Sequence, residues 1–162
     1  MDPVDPVDPA AERLSMYGEV AEQAPLPWRW VDDELTRAGT YWVVPAPSGG
    51  HPHPRPVWGL WLGRRLLLSV GSKVVIRQLA DGAAVTVHLE SGTDVVVVEG
   101  RVRGTEAGPD ALAAYDAKYT WHYDVADLGP LTVVLPEVVL AWQAAGWAGR
   151  EGFRAMGRWH LG

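Results

Sequence analysis

Cationic and hydroxyl side chains lie close together in two neighbouring segments of this 162-residue chain. Arg55 lies in the first segment, and Ser69, Ser72 and Lys73 lie in the second. A guanidinium group is a planar fork that grips an oxyanion through two hydrogen bonds, and hydroxyl and ammonium groups add further donors. Ser72 and Lys73 also begin a predicted helix, whose free N–H groups and dipole favour an anion. The pattern predicts an anion site; the alternatives are a surface arginine and an ordinary capped helix start.

Tryptophan is the second unusual feature, because nine tryptophans accompany a single phenylalanine. Indole rings are costly to leave in water and are favoured in cores, ligand pockets and interfaces. Trp58 and Trp61 are three residues apart on a predicted strand, so they face opposite sides of it. We therefore expect at most one of them to line a pocket, with the other in the core or at a subunit interface.

The bulk composition indicates one ordinary domain and excludes several classes of function. Apolar residues make up 48% of the chain, enough for a core, and the net charge of −6 disfavours nucleic-acid and anionic-membrane partners. The chain has no cysteine, so disulfides, thiolate metal sites and thiol catalysis are excluded. The lack of disulfides fits a reducing compartment, and the protein is expected to be cytoplasmic. The Asp-Pro repeats predict a disordered tail over residues 1–9, unlike a signal peptide, before a domain over residues 10–162.

Periodicity and turn residues predict a mainly β protein. The predicted helices cover residues 10–22, 32–38 (capped by Asp32 or Asp33 and ended by Gly39), 72–80 and 109–119. The predicted strands cover residues 40–44, 53–62, 66–70, 83–90, 95–102, 131–142 (interrupted at Pro136) and 157–161. The first three strands read as an antiparallel meander, and one helix follows the third. Six or seven short strands with tight turns favour a closed barrel, because closure removes exposed edges.

Three segments, in order and at fitting spacings, resemble a known family. Residues 53–61 (HPRPVWGLW) look like a barrel strand, residues 67–79 like a strand, loop and phosphate-binding helix, and residues 87–100 like two later barrel strands of the pyridoxamine 5'-phosphate oxidase-like superfamily. Trp142 and the C-terminal residues 158–160 are also similar to the family. The resemblance implies an antiparallel split β-barrel of the mainly β (α+β) class, which forms a homodimer with two cofactor sites shared between the subunits.

The resemblance also implies a cofactor and the residues that hold it. Members bind FMN or, in actinobacteria, the deazaflavin coenzyme F-420, and a few bind haem. The residues expected to bind the cofactor are Arg55, Pro56, Val57, Trp58, Ser69, Val70, Ser72, Lys73 and Arg158. The family usually has adjacent Arg and Lys on the phosphate helix where this chain has Val74 and Val75. Losing such contacts, at about 1.5–3 kcal/mol each, would weaken the binding of FMN phosphate.

The expected function is that of a flavin- or deazaflavin-dependent oxidoreductase acting on a small organic substrate. The alternatives are a non-catalytic protein that stores or senses flavin or haem, and a structural dimer without a cofactor. No Ser-His-Asp or paired-carboxylate pattern predicts hydrolysis. His51 and His53 lack a third ligand of clear spacing, so no metal site is predicted, and His88 is expected to be a hydrogen-bonded structural histidine. Residues 118–123 are expected to form a substrate-side wall or lid, or to cover the barrel mouth.

Overall fold

The computed structural model describes residues 7–16, 19–20, 24–46, 50–144 and 153–161, so residues 1–6 of the predicted tail lie outside the described part. The described strands are β1 (Ala11–Arg13), β2 (Ser15–Met16), β3 (Glu19–Val20), β4 (Tyr41–Pro45), β5 (Arg55–Leu62), β6 (Arg65–Ser69), β7 (Ala84–His88), β8 (Asp94–Glu106), β9 (Leu131–Ala144) and β10 (Phe153–His160). The described helices are α1 (Trp28–Arg37), α2 (Lys73–Gln78), α3 (Pro109–Tyr119) and α4 (Val125–Leu128). None of these helices is long and apolar enough to cross a lipid bilayer.

Six antiparallel strands close into a barrel in the order β6-β5-β4-β7-β8-β9, and β9 pairs back to β6. The strands β4, β5 and β6 form the predicted meander. Gly63 and Arg64 both have φ of 57°, as a two-residue hairpin between β5 and β6 requires. The outer strands β10 and β1 extend the sheet beyond β9. The predicted split-barrel class is therefore confirmed.

Two hydrophobic clusters lie on the two sides of the barrel wall. Alternation along β6 sends Leu66 and Leu68 into the barrel and Leu67 outward, and all three are fully buried. The inner cluster includes Trp61 and is closed by α1. The outer cluster includes Leu67 and Tyr115, because α3 packs against the outside of the wall. The segment from β5 to β6 is therefore covered on both faces.

Two of the predicted elements were wrong at the N-terminal end of the chain. Residues 10–22 contain short strands rather than a helix, because β1 gains backbone pairing with β10, which outweighs a helical propensity that has no apolar stripe to bury. Helix α1 begins at Trp28, and no side chain caps its N-terminus. Asp32 instead accepts a hydrogen bond from Trp61 Nε1 at 2.7 Å, so the predicted cap is a tertiary contact.

The predicted interruption at Pro136 was also wrong, since β9 runs continuously through it. The register with β8 shifts there, so that Glu99 lies opposite Val138 and Gly100 opposite Pro136. The extra residue on β9 is a β-bulge, a position that tolerates a proline within a sheet. A Cβ atom added at Gly100 would lie 2.3 Å from the backbone oxygen of Leu135. The bulge therefore requires glycine at position 100.

We expect Gly100→Ala to lower the free energy of unfolding by about 1–3 kcal/mol, because backbone atoms must move to admit the methyl group. Gly92→Ala is the matched control, since its Cβ would meet no described atom within 4 Å. Urea unfolding of both variants measures the difference. Equal stability of the two variants would contradict the close approach at the bulge.

Candidate functional site

A half-open cleft of about 320 Å³ lies on the outer side of β5 and the end of β6, beside α3 and α4. Seven of the nine residues predicted to bind a cofactor line it together: Arg55, Pro56, Val57, Trp58, Ser69, Val70 and Ser72. The pairing of Trp58 with Ser69 across β5 and β6 sets the two segments side by side. Residues 55–58 and 69–72, which are two separate segments of the sequence, therefore form one surface in the fold.

The polar groups of the cleft lie at one end, beyond the pairing of Trp58 with Ser69. Arg55 is exposed, and its Nη1 atom donates a hydrogen bond of 2.8 Å to the carbonyl oxygen of Pro54. The Ser69 hydroxyl lies 3.4 Å from Tyr123 Oη, and Ser72 caps α2 by accepting the N–H of Val75. Among the residues that the structure describes, Arg55 is the only charged one that lines the cleft. This end is therefore suited to an anion.

The other end of the cleft is aromatic. The rings of Trp58 and Tyr119 are stacked, with centroids 4.7 Å apart and planes at 6°, and Trp121 meets Trp58 edge-on at 6.1 Å. Tyr115 continues the cluster, with its ring centroid 4.7 Å from that of Tyr119 and 4.8 Å from that of Tyr123. Trp58 and Trp121 keep 48% and 45% of their surface exposed. They offer indole surface to a planar ligand.

The opposite orientations predicted for Trp58 and Trp61 are observed. Trp58 lines the cleft, whereas Trp61 is buried inside the barrel against Trp28, with ring centroids 6.5 Å apart. Trp159 completes this inner group at 5.9 Å from Trp28. Trp147 lies outside the described residues.

Two of the predicted site residues do not line the cleft. Lys73 is exposed on the first turn of α2. Arg158 lies on the outer strand β10, where its Nη1 atom is 3.5 Å from a Glu12 carboxylate oxygen. Val75, one of the two positions compared with the family's Arg-Lys pair, is fully buried in the barrel core. Only Val74 is exposed, so a lysine at position 75 would bury a charge rather than reach a ligand.

Sequence reasoning missed Gly71, Tyr115 and Leu128, which also line the cleft. Tyr115 had no distinguishing signal, because its helix was predicted only as a helix and its docking on the barrel is a tertiary feature. Trp121 falls in the stretch 118–123 that was expected to form a wall, and the structure places it in the cleft wall. Leu128 belongs to α4, a four-residue helix that is not among the predicted elements.

The loop that carries Trp121 is fixed by Asp116. One carboxylate oxygen accepts the N–H of Tyr123 at 2.8 Å, and the other lies 3.0 Å from His122 Nδ1. The His122 bond and this N–H hold the pKa of Asp116 below its usual value. Asp116 is therefore ionised at neutral pH and keeps the loop in place.

The histidines give no metal centre in the described residues. His88 Nδ1 lies 2.8 Å from the carbonyl oxygen of Leu89, and its ring stacks on Trp42 with planes at 1°. It is hydrogen-bonded as predicted. Within the described ranges, which include His51 and His53, no three His, Asp or Glu side chains come together as a metal site.

Comparison with known proteins identifies the fold. No model of a known protein family and no curated protein sequence matches the chain. A solved FAD-binding protein from Mycobacterium smegmatis is 18% identical, with 86% of this chain and 100% of that chain covered at a TM-score of 0.50. An F420 reductase is 18% identical, with 67% and 94% covered at 0.54. A conserved hypothetical protein from Mycobacterium tuberculosis is 18% identical, with 75% and 88% covered at 0.59.

These likenesses confirm the split β-barrel fold that the sequence predicts. At such identities they establish the fold alone, because one fold hosts many functions.

Lys118 gives the region beside the cleft a titrating group. Its Nζ atom donates to Tyr41 Oη and to the carbonyl oxygen of Gly59, each at 3.0 Å, and burial lowers its pKa to about 8. Between pH 8 and about 10 the folded protein has released this proton and the unfolded chain keeps it, so stability should rise with pH. Burial raises the pKa of Tyr115 to about 12 and also raises the pKa of Tyr41. Above about pH 10 stability should therefore fall, because these hydroxyl groups lose their protons in the unfolded chain before they do so in the folded protein.

We therefore expect Lys118→Met to remove the rise in stability between pH 8 and 10. Urea midpoints at pH 7, 8, 9 and 10 measure it, and Lys73→Met, at an exposed lysine, should keep the wild-type profile. A rise that survives in Lys118→Met would show that another group causes it.

Proposed function

We propose that the chain binds a flavin-type cofactor, FMN or the deazaflavin F-420, in this cleft and acts as an oxidoreductase on a small organic substrate. One observation carries the proposal: a single guanidinium group at one end of the cleft and an exposed pair of tryptophans at the other. Such a cofactor joins a planar ring system to a phosphate group, so it has the same two parts. The FAD-binding protein and the F420 reductase that share the fold support the proposal.

The polar end fits a phosphate group. Arg55 is exposed, so its remaining donors can turn toward a ligand, and its charge is permanent. Ser69 and Ser72 add hydroxyl groups on the opposite wall. A charge-assisted contact of this kind contributes about 1.5–3 kcal/mol.

The aromatic end fits a planar ring. Trp58 and Trp121 supply indole surface, Leu128 adds an apolar edge, and Val57 and Val70 lie on the barrel side. Small-molecule sites commonly combine an apolar lining with a few placed polar groups in this way. A bound flavin or deazaflavin supplies hydride-transfer chemistry.

The protein's own part would be to bind and orient rather than to exchange protons. The described residues that line the cleft include no carboxylate and no imidazole. Burial raises the pKa of Tyr115 to about 12, so its hydroxyl stays protonated at neutral pH. A cofactor that carries the chemistry itself suits such a site.

A lining whose described residues are mostly apolar or neutral also suits the second candidate, a protein that stores or senses a flavin without turnover. The two candidates share the cleft and differ in whether substrate reaches the ring. Reduction of the bound cofactor by NAD(P)H or reduced F-420, followed by reoxidation by an added acceptor, would favour the oxidoreductase. Stable binding with no reoxidation would favour the storage role.

We also propose that a second copy of the chain covers the mouth of the cleft. Trp58, Trp121, Leu128 and Ile76 expose between 42% and 48% of their surfaces, although large apolar side chains are usually withdrawn from water. Burying such residues is typical of obligate dimers, whose interfaces exceed about 2,000 Å². A second copy would also close a cleft that one chain leaves half-open.

We expect Arg55→Ala to weaken FMN binding by about tenfold to 100-fold, the equivalent of one charge-assisted contact, and to leave riboflavin binding nearly unchanged. Titration with quenching of flavin fluorescence measures both ligands. Arg77→Ala is the control, because Arg77 is an exposed arginine of α2 that does not line the cleft. Equal losses for FMN and riboflavin, or no loss, would refute Arg55 as the phosphate ligand.

Light scattering at micromolar concentration should give twice the chain mass of 17.6 kDa. Leu128→Glu should shift the protein toward monomer, because it would bury a charge at the interface. Leu135→Glu is the matched control, since Leu135 is 39% exposed on β9 and does not line the cleft. A wild-type monomer would contradict the proposed dimer.

A further inference from the structure

The pairing of β4 with β5 stops next to the cleft. Tyr41 lies opposite Val57, and the same register continued by two residues would set Gly39 opposite Gly59. Gly39 precedes β4, so Gly59 has no β4 residue beside it. Buried backbone N–H and C=O groups need partners, so this position must be satisfied in another way.

Two side chains of α3 occupy the place of the missing strand residue. Tyr119 Oη accepts the N–H of Gly59 at 2.9 Å and lies 2.9 Å from the Gly59 carbonyl oxygen and 3.1 Å from that of Gly39. Lys118 Nζ donates to the same Gly59 oxygen at 3.0 Å. The Tyr119 hydroxyl thus lies between the two strands where the next backbone contact would form.

The same tyrosine also supports the cleft wall. Its ring stacks on Trp58, the neighbour of Gly59 in sequence, at 4.7 Å and 6°. The Lys118 ammonium group lies 5.4 Å from the centroid of the Tyr119 ring and 4.9 Å from that of Tyr41. The backbone of β5 and the indole that it carries are therefore held by one pair of residues.

We propose that Tyr119 and Lys118 are positioning residues, which set the place of the Trp58 ring by substituting for the missing β4–β5 contact at Gly59. Neither residue lines the cleft, so both act through Trp58. The consequence for ligand binding rests on the proposed function, whereas the placement of Trp58 does not.

The placement is tested on the protein without ligand. Incorporation of 5-fluorotryptophan gives each tryptophan a fluorine resonance, and Trp58→Phe assigns that of Trp58. We expect Tyr119→Phe, which keeps the stacked ring and loses the hydroxyl, to shift or broaden the Trp58 resonance, and Lys118→Met to do the same to a smaller extent.

Asp32→Ala is the matched control, because Asp32 on α1 contacts Trp61 on the opposite face of β5 from Trp58. It removes the acceptor of Trp61 Nε1 and should move the Trp61 resonance while leaving that of Trp58 in place. A Trp58 resonance unchanged in Tyr119→Phe would overturn the proposal, even if the variant melts at a lower temperature than the wild type.

The effect of these residues on ligand binding is tested with FMN and riboflavin. Tyr119→Phe should weaken both by threefold or more, because it disturbs the wall for the ring and not the phosphate contact. Asp32→Ala, which loses a contact on the opposite face of β5, should bind both as the wild type does. Unchanged flavin affinity in Tyr119→Phe would overturn the proposed effect on ligand binding, whereas a wild type that binds neither FMN nor F-420 would overturn the proposed function and leave the fluorine result to decide the placement.

Discussion

Closure of the barrel depends on the shared edge of strand β9. One edge of β9 pairs with β8 along nearly its whole length, and the other edge pairs first with β6 and then with β10. The barrel contact uses Thr132 to Val134, and the contact with β10 uses residues from Val138 onward. The bulge at Pro136 lies between the two, where a bulge can bend the strand and increase its twist. The division of β9 lets one strand close a barrel and still carry an outer sheet.

The cleft lies on the outside of the closed barrel, where the packed helices cover only part of the wall. Helix α3 packs on the outer face of β5 and β6 through Tyr115 and Leu67, and the chain then turns at Thr120 with φ of 50°. The loop that follows places Trp121 beside Trp58. Strand β5 therefore contributes to the core through Trp61 and to the cleft through Trp58, two functions that the alternation of a strand makes possible.

Much of this could be predicted from local pattern. The meander, helix α3 and the opposite faces of Trp58 and Trp61 follow from periodicity, turn residues and alternation, and the nearness of Arg55 to Ser72 follows from the hairpin between their strands. The predictions that were wrong concern residues whose structure depends on contacts with distant parts of the chain. The strand β1 forms because β10 is there to pair with it, and Val75 faces the core because of how α2 docks.

The contribution of Tyr115, Tyr119 and Leu128 to the cleft and its wall could not be predicted for the same reason. Their positions depend on the packing of α3 and α4 against the barrel, for which the sequence carries no short-range signal. Lys118 is the clearest example, since a lysine near the end of a helix would be expected in solvent. It is instead half-buried between two tyrosines and a strand carbonyl group.

Binding of a flavin-type cofactor in the cleft is tested most directly by the absorption spectrum of the protein purified from its native host. We expect the visible bands of a flavin, or the shorter-wavelength band of a deazaflavin, and we expect the cofactor released on denaturation to carry a phosphate group. A colourless protein that also takes up neither FMN nor F-420 on titration would contradict it.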